Sequence, residues 1–199
     1  MLDLAHLPKE LEISDGRIIT IRVLEGKDEN DLYKFLCDLP QGERVYFRDD
    51  VTERKVVTEW VKNTDFQRVF PLLACDGDKI VANWSMHMRE HGWTRHLANI
   101  RGIVKPDYRG FGIAAQMVYE LLGIAGQVDI ERVVIELVSP QARVLELYKG
   151  LGFTVEAVLK QWVKDFKGKY HDQYILTMQL EPAWKKMEDM ILNYGTHGG

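Results

Sequence analysis

The chain has 199 residues, 46% hydrophobic and 28% charged, enough to bury one sizeable core and suited to one catalytic domain with short extensions. Its formal net charge of −4, its pI near 5.9 and the lack of a Lys/Arg run with interleaved aromatics argue against a nucleic-acid partner, and no apolar stretch reaches the roughly eighteen residues of a membrane span. Met1 to Glu12 shows no basic start followed by an apolar run, and Cys37 and Cys75 form neither a CxxC nor part of a His-rich ligand set. The expectation is a soluble cytoplasmic protein with two buried free thiols, no disulfide and no metal.

Residues 1–16 read as an N-terminal extension. Arg17 to Leu24 alternates Ile19, Ile21 and Val23 against Thr20 and Arg22, with Ile18 breaking the pattern, and predicts the first strand. Asp28 or Asn30 caps a helix to about Leu39 that places Leu32, Phe35, Leu36 and Leu39 on one side, and Pro40-Gln41-Gly42 ends it. A second helix is expected from Thr52, carrying Val56, Val57, Trp60 and Val61. Strands follow at Phe70 to Cys75 and Ile80 to Met88 around the turn Asp76-Gly77-Asp78, and His91-Gly92-Trp93-Thr94 leads into a strand over Leu97 to Val104. Pro106 stops that strand, and from Ile113 to Ala125 the residues Ile113, Met117, Val118, Leu121, Leu122 and Ala125 share one helical face. A strand at Arg132 to Val138, a helix at about Gln141 to Lys149 and strands at Thr154 to Lys164 and Tyr170 to Leu180 complete a domain over 17–181. In the remainder, 182–199, Pro182 opens a helix with an apolar stripe of Trp184, Met187 and Ile191, read as a packed extension or, if exposed, a dimer contact, ahead of a Gly-rich tail. A monomer or homodimer fits either reading. The order β-α-α-β-β-β-α-β-α-β-β mixes hairpins with crossovers and implies an α/β (α+β) mixed sheet with helices on both faces.

The stretch between the strand ending at Val104 and the helix beginning at Ile113 carries Arg109, Gly110, Phe111 and Gly112. At a helix N-terminus the first backbone N–H groups lack intrahelical partners and the dipole is positive, so a phosphate or pyrophosphate can be bound by main chain alone. Gly110 and Gly112 let the backbone approach such a ligand, and Arg109 adds a charge-assisted bond. A nucleotide-hydrolysing P-loop would need a Gly-Lys-Ser/Thr ending, which is absent. A dinucleotide fingerprint would need glycine where Ala115 stands. A Gly-rich turn that only caps its helix remains the plain alternative.

The pattern Arg109-x-x-Gly112-x-Ala114, after a strand ending Ile103-Val104-x-Pro106, resembles the pyrophosphate loop of the GNAT superfamily of acetyl-CoA-dependent N-acetyltransferases. A second, longer match follows: Val134 to Phe153, through Glu136-Leu137-Val138-Ser139-Pro140-Gln141 and Leu147-Tyr148-x-x-x-Gly152-Phe153, is similar to that family's strand, turn and tyrosine helix. The resemblance covers about Ile18 to Leu180. It implies a mostly antiparallel sheet of about seven strands with one splayed parallel pair, and acetyl-CoA as cosubstrate, its pantetheine arm pairing with Gly102, Ile103 and Val104 like a short strand. The cofactor contacts carried over by the resemblance are Ile103, Val104, Arg109, Gly110, Phe111, Gly112, Ile113, Ala114, Gln141 and Tyr148. Gln141 stands where the family often has Asn, and Arg143 and Lys149 are candidates for the ribose phosphate.

Acyl transfer from a thioester to an amine demands a neutral nucleophile, a stabilised oxyanion and a proton for the departing thiolate. The resemblance assigns the last task to Tyr148 and the second to a backbone N–H near Val104. Glu136 matches the base of the branch that acetylates protein N-termini, such as ribosomal-protein acetyltransferases, and burial beside Val134 and Val138 is expected to raise its pKa. Other branches place a glutamate on the strand that here begins with Leu97, so His96 and His87 stand as reserve bases. The acceptor, a protein lysine, a protein N-terminus or a small amine, is expected in a groove walled by Pro40 to Val51 and the loop Lys164 to Lys169. There Glu43, Asp49 and Asp50 favour a cation against Arg44 and Arg48, and Tyr46, Phe47 and Trp162 line the way. The stretch Arg44 to Arg48 resembles its counterpart in GNAT domains that acetylate protein lysines. A longer acyl donor, and a non-catalytic acyl-CoA sensor on the same fold, are the competing readings.

Overall fold

A computed structural model describes residues 2–180. Eight strands form one sheet: β1 (Lys9–Glu12), β2 (Ile18–Val23), β3 (Val69–Asp76), β4 (Lys79–His87), β5 (Leu97–Val104), β6 (Arg132–Val138), β7 (Thr154–Lys164) and β8 (Tyr170–Gln179). Their spatial order is β1-β2-β3-β4-β5-β6-β8-β7. Every neighbouring pair is antiparallel except β5 and β6. Those two are parallel because helix α4 (Ile113–Ala125) carries the chain back between them. Among the described residues the remaining α-helices are α1 (Glu29–Cys37), α2 (Gln41–Arg44), α3 (Arg54–Lys62) and α5 (Ala142–Gly150).

Period-two patterning accounts for β2: Ile19 and Ile21 are fully buried while Ile18, the residue that broke the alternation, faces outward. The eighth strand, β1, pairs Lys9 with Ile21 and Glu12 with Ile18. Its Lys-Glu-Leu-Glu sequence has the charged character of a blunted sheet edge and little apolar alternation to mark it as a strand. Helix α3 begins two residues later than expected because the Asp50 carboxylate accepts both the backbone N–H (3.0 Å) and the hydroxyl (2.6 Å) of Thr52, holding Thr52 in a turn. Helix α1 ends before Pro40 as expected, and Pro40 then stands at the N-cap of the short α2.

Two apolar cores cover the two faces. One gathers α4, Tyr148 of α5 and the even-numbered residues Ala82, Trp84 and Met86 of β4; the other packs α1 and Val57 of α3 against Leu73 and Cys75 of β3. Cys75 is buried as expected, whereas Cys37 at the end of α1 is only half-buried. No helix among the described residues is long and apolar enough to cross a membrane. The apolar stripe expected around Trp184 lies outside the described residues.

Asp28 is buried at the start of α1, where it accepts a forked pair of bonds from Arg22 (2.6 and 2.7 Å) and the N–H of Glu25 (2.8 Å). Burial alone would push its pKa up, but Arg22 and the Glu25 N–H together leave it lowered. A carboxylate with a depressed folded-state pKa contributes stability above its unfolded value and loses it as pH falls through the folded one. Urea midpoints should therefore drop between about pH 5 and pH 2. In Asp28→Asn, less stable at neutral pH, that part of the slope should vanish.

Candidate functional site

Strands β5 and β6 pair only through Leu97 with Arg132, Ala98 with Val133 and Asn99 with Val134. Beyond Asn99 the two diverge: β5 stays bonded to β4 as far as Val104, and β6 to β8 as far as Val138. A wedge opens between them, and the strand edges facing it have no strand partner. A short strand-like chain can therefore be held there by main-chain bonds.

Gly102 sets one wall of the wedge. A Cβ there would fall 2.0 Å from the Trp84 ring, so only glycine lets the indole cross β5 at this point. Gly102→Ala should cost about 1–3 kcal/mol or more, read as a lower urea midpoint, since neither a strand nor a packed indole can yield that distance. The Trp84 indole N–H is buried without a hydrogen-bond partner among the described residues. It nevertheless acts on the phenol of Tyr148: burial raises the Tyr148 pKa to about 12, and Trp84 pulls in the opposite direction. The Tyr148 ring is buried and meets Phe153 edge-on at 5.5 Å. The protonated phenol thus lies beside the buried indole N–H of Trp84, which favours its ionised form.

The glycine turn leads directly into α4. Gly110 (φ 85°) and Gly112 (φ 81°) both take the left-handed conformation, and Gly112 is the N-cap. The first helical bond runs from Gln116 N to Gly112 O at 3.1 Å, and no side chain caps the helix. The N–H groups of Ile113, Ala114 and Ala115 thus remain available to an anion. Phe111 packs against the larger core beside the Arg17 guanidinium, 5.3 Å from its ring centre.

Two expected cofactor contacts are already engaged within the protein. The Arg109 guanidinium donates to Val104 O (3.0 Å) and pairs with the Glu43 carboxylate, so its charge is met from α2. The Gln141 side-chain oxygen accepts the Val138 N–H at 2.9 Å. Lys149 pairs with Glu146 at 2.9 Å.

Register places Ser85 and His87 of β4, Asn99 and Arg101 of β5, Glu136 of β6 and Gln173 of β8 on the other face of the wedge. The expected burial of Glu136 is corrected here. Its side chain is 35% exposed, because Val133, Ile135 and Leu137 take the core face of β6 and turn Glu136 the other way. Both Glu136 oxygens lie 3.4 Å from Arg48, and one accepts from Gln173 at 2.9 Å. Burial first, then Arg101 and Arg48, lower the His87 pKa to about 4, so a neutral ring bonds Ser85 Oγ at 2.9 Å. His96 sits at the opposite end of β5, in an open groove with Asp129 and Glu131.

The two expected acceptor walls do meet: a Cβ on Gly42 would lie 3.7 Å from the Phe166 ring of the β7–β8 loop. Phe47, however, packs on Trp60 in the smaller core, and Trp162 is 65% exposed. The acidic balance expected in this groove is also altered, since Glu43 is tied to Arg109, while Asp50, held ionised by the Thr52 hydroxyl and N–H, keeps its charge. Alternation alone does not single out Trp84 or Arg101; the glycine facing Trp84 and the cation within an apolar strand are the sequence signals of the two.

A mixed sheet whose one parallel pair splays beside a glycine-rich helix start, with a buried tyrosine at the wedge, defines an acyl-CoA-type transferase architecture. The Acetyltransferase (GNAT) family profile matches residues 32–153, and the chain belongs to that family of enzymes. No curated protein matches the sequence significantly. Among solved structures, the GNAT domain of S. lividans PAT superposes with a TM-score of 0.72 at 18% identity, over 89% of this chain and 99% of that one. YncA of Salmonella typhimurium, solved with its cofactor acetyl-CoA, gives 0.71 at 19% identity over 82% and 94%. A ribosomal-protein-alanine N-acetyltransferase from Brucella melitensis gives 0.69 at 20% identity over 80% and 99%. At these identities the likeness is one of fold.

Proposed function

We propose that this chain transfers an acetyl group from acetyl-CoA to a primary amine by direct attack in a ternary complex. The observation that carries this reading is the open wedge between β5 and β6 lying beside the free N–H groups of α4. The wedge suits a pantetheine arm along Gly102 to Val104, and the helix start suits a pyrophosphate held by main chain. Bound there, acetyl-CoA supplies the activated thioester. Glu136, on the far lip of the wedge, accepts a proton from the incoming ammonium. The neutral nitrogen bonds to the acetyl carbon as the carbon–sulfur bond breaks. Tyr148 gives its proton to the departing sulfur and regains one from the product nitrogen, and Glu136 releases its own to solvent. The products are an N-acetyl amide and a free thiol.

The test pairs calorimetric titration with acetyl-CoA and CoA against a thiol-release assay over small amines, lysine peptides and N-terminal peptides. Binding together with amine-dependent thiol release is the expected result. Binding with no turnover on any amine would make the domain an acyl-CoA sensor, and no binding would reduce the glycine turn to a helix cap.

A further inference from the structure

Arg101 is the group for which the fold gives no internal use. It sits on β5 as the register partner of Ser85, half-buried, and forms no ion pair or side-chain hydrogen bond among the described residues. Burial first, then the neighbouring Arg48, act against its charge, and the Glu136 and Asp49 carboxylates offset them only in part. A half-desolvated guanidinium without an acceptor is a standing cost that a bound anion would relieve. Its place is specific. Asn99 pairs with Val134, so two residues further on Arg101 and Glu136 would be partners if the sheet were closed. The wedge separates them and leaves a cation on one lip and a carboxylate on the other.

We propose that the acceptor is a small zwitterionic amine of the α-amino acid class, with its carboxylate on Arg101 and its ammonium on Glu136 across the mouth of the wedge. This rests on the acetyltransferase reading above. An α-amino acid presents a cation and an anion one carbon apart, matching the two lips in sign and order. A polyamine would bring only cations against Arg101 and Arg48. A lysine side chain or a protein N-terminus likewise offers no anion beside its amine. Ser85 and Asn99, neighbours of Arg101 on the same face, add neutral donors for carboxylate oxygens, and His87 adds no charge. Arg48 is 62% exposed and only loosely paired, so it can turn from Glu136 to the entering carboxylate.

The experiment compares thiol release with common L-amino acids and with their decarboxylated counterparts, phenylalanine against phenethylamine and leucine against isopentylamine, with spermidine and a lysine peptide alongside. The expected result is a KM for the preferred amino acid about tenfold or more below that of its matched amine. In Arg101→Gln that ratio should fall about tenfold, with Arg101→Lys restoring part of it and acetyl-CoA affinity by calorimetry showing the fold intact. Better turnover of spermidine, the lysine peptide or the matched amines, or an equal KM shift for amino acid and amine in Arg101→Gln, would overturn the proposal. Absence of acetyl-CoA binding would remove the acetyltransferase reading instead. Calorimetric binding of the same amino acids, lost in Arg101→Gln, would then support the zwitterion site, and no binding would sink it.

Discussion

Tyr148→Phe should lower kcat by about 10²- to 10⁴-fold while leaving the affinity for acetyl-CoA within a factor of about two. The substitution removes one hydroxyl beside the Trp84 indole N–H, which is already without a hydrogen-bond partner, and the Phe153 contact at 5.5 Å survives. Stability should change little, which isolates chemistry from folding. Burial raises the phenol pKa to about 12, so the group is fully protonated at neutral pH and serves as an acid rather than a base. The wild-type rate should therefore show no fall from this residue until above about pH 10. Stopped-flow thiol release on both proteins, with calorimetry as the control, measures all of this. A variant that keeps its full rate would take Tyr148 out of the chemistry and leave it a packing residue over the helix end.

How far the residues themselves disclosed this arrangement depends on the kind of interaction involved. Strand β5, helix α4, strand β6 and strand β7 fall at the expected residues, because Pro106, Gly112 and the change from period two to helical spacing punctuate them locally. Strand β1 was hidden because it has little apolar pattern of its own and exists by pairing with β2. At Glu136 the alternation gave the correct two-residue rhythm but not which face is core; that is decided by α4 and α5 packing on Val133, Ile135 and Leu137. Arg109 shows the same limit at the level of a rotamer. Its place in the glycine turn is local, but its partner Glu43 is 66 residues away and comes near only through α2. The unspent indole of Trp84 and the unpaired Arg101 are visible only once β4, β5 and β6 are side by side.

Gly112→Asp should weaken acetyl-CoA and CoA binding by about 100-fold or more, about 2.8 kcal/mol at 1.4 kcal/mol per tenfold. Space is not the reason, since a Cβ at Gly112 meets nothing within 4 Å. The φ of 81° strains any side chain, but Asp tolerates the left-handed region better than most residues, so the folding cost stays near about 1 kcal/mol. Charge decides the outcome. An aspartate at the N-cap of α4 sets its carboxylate against the same Ile113, Ala114 and Ala115 N–H groups that a pyrophosphate would use, and it repels the incoming anion as well. That capping also returns part of the strain energy, so the thermal midpoint should move by only a few degrees. Gly112→Ala carries the backbone strain without the charge and should lose less than about tenfold in affinity, so the gap between the two variants measures the electrostatic share of the site. With Arg109 held by Glu43 and Val104, that share comes from main chain and dipole. Higher salt should therefore narrow the gap only modestly, because partners this close are poorly screened. Equal affinities for wild type and Gly112→Asp would mean that the anion does not meet α4 at all.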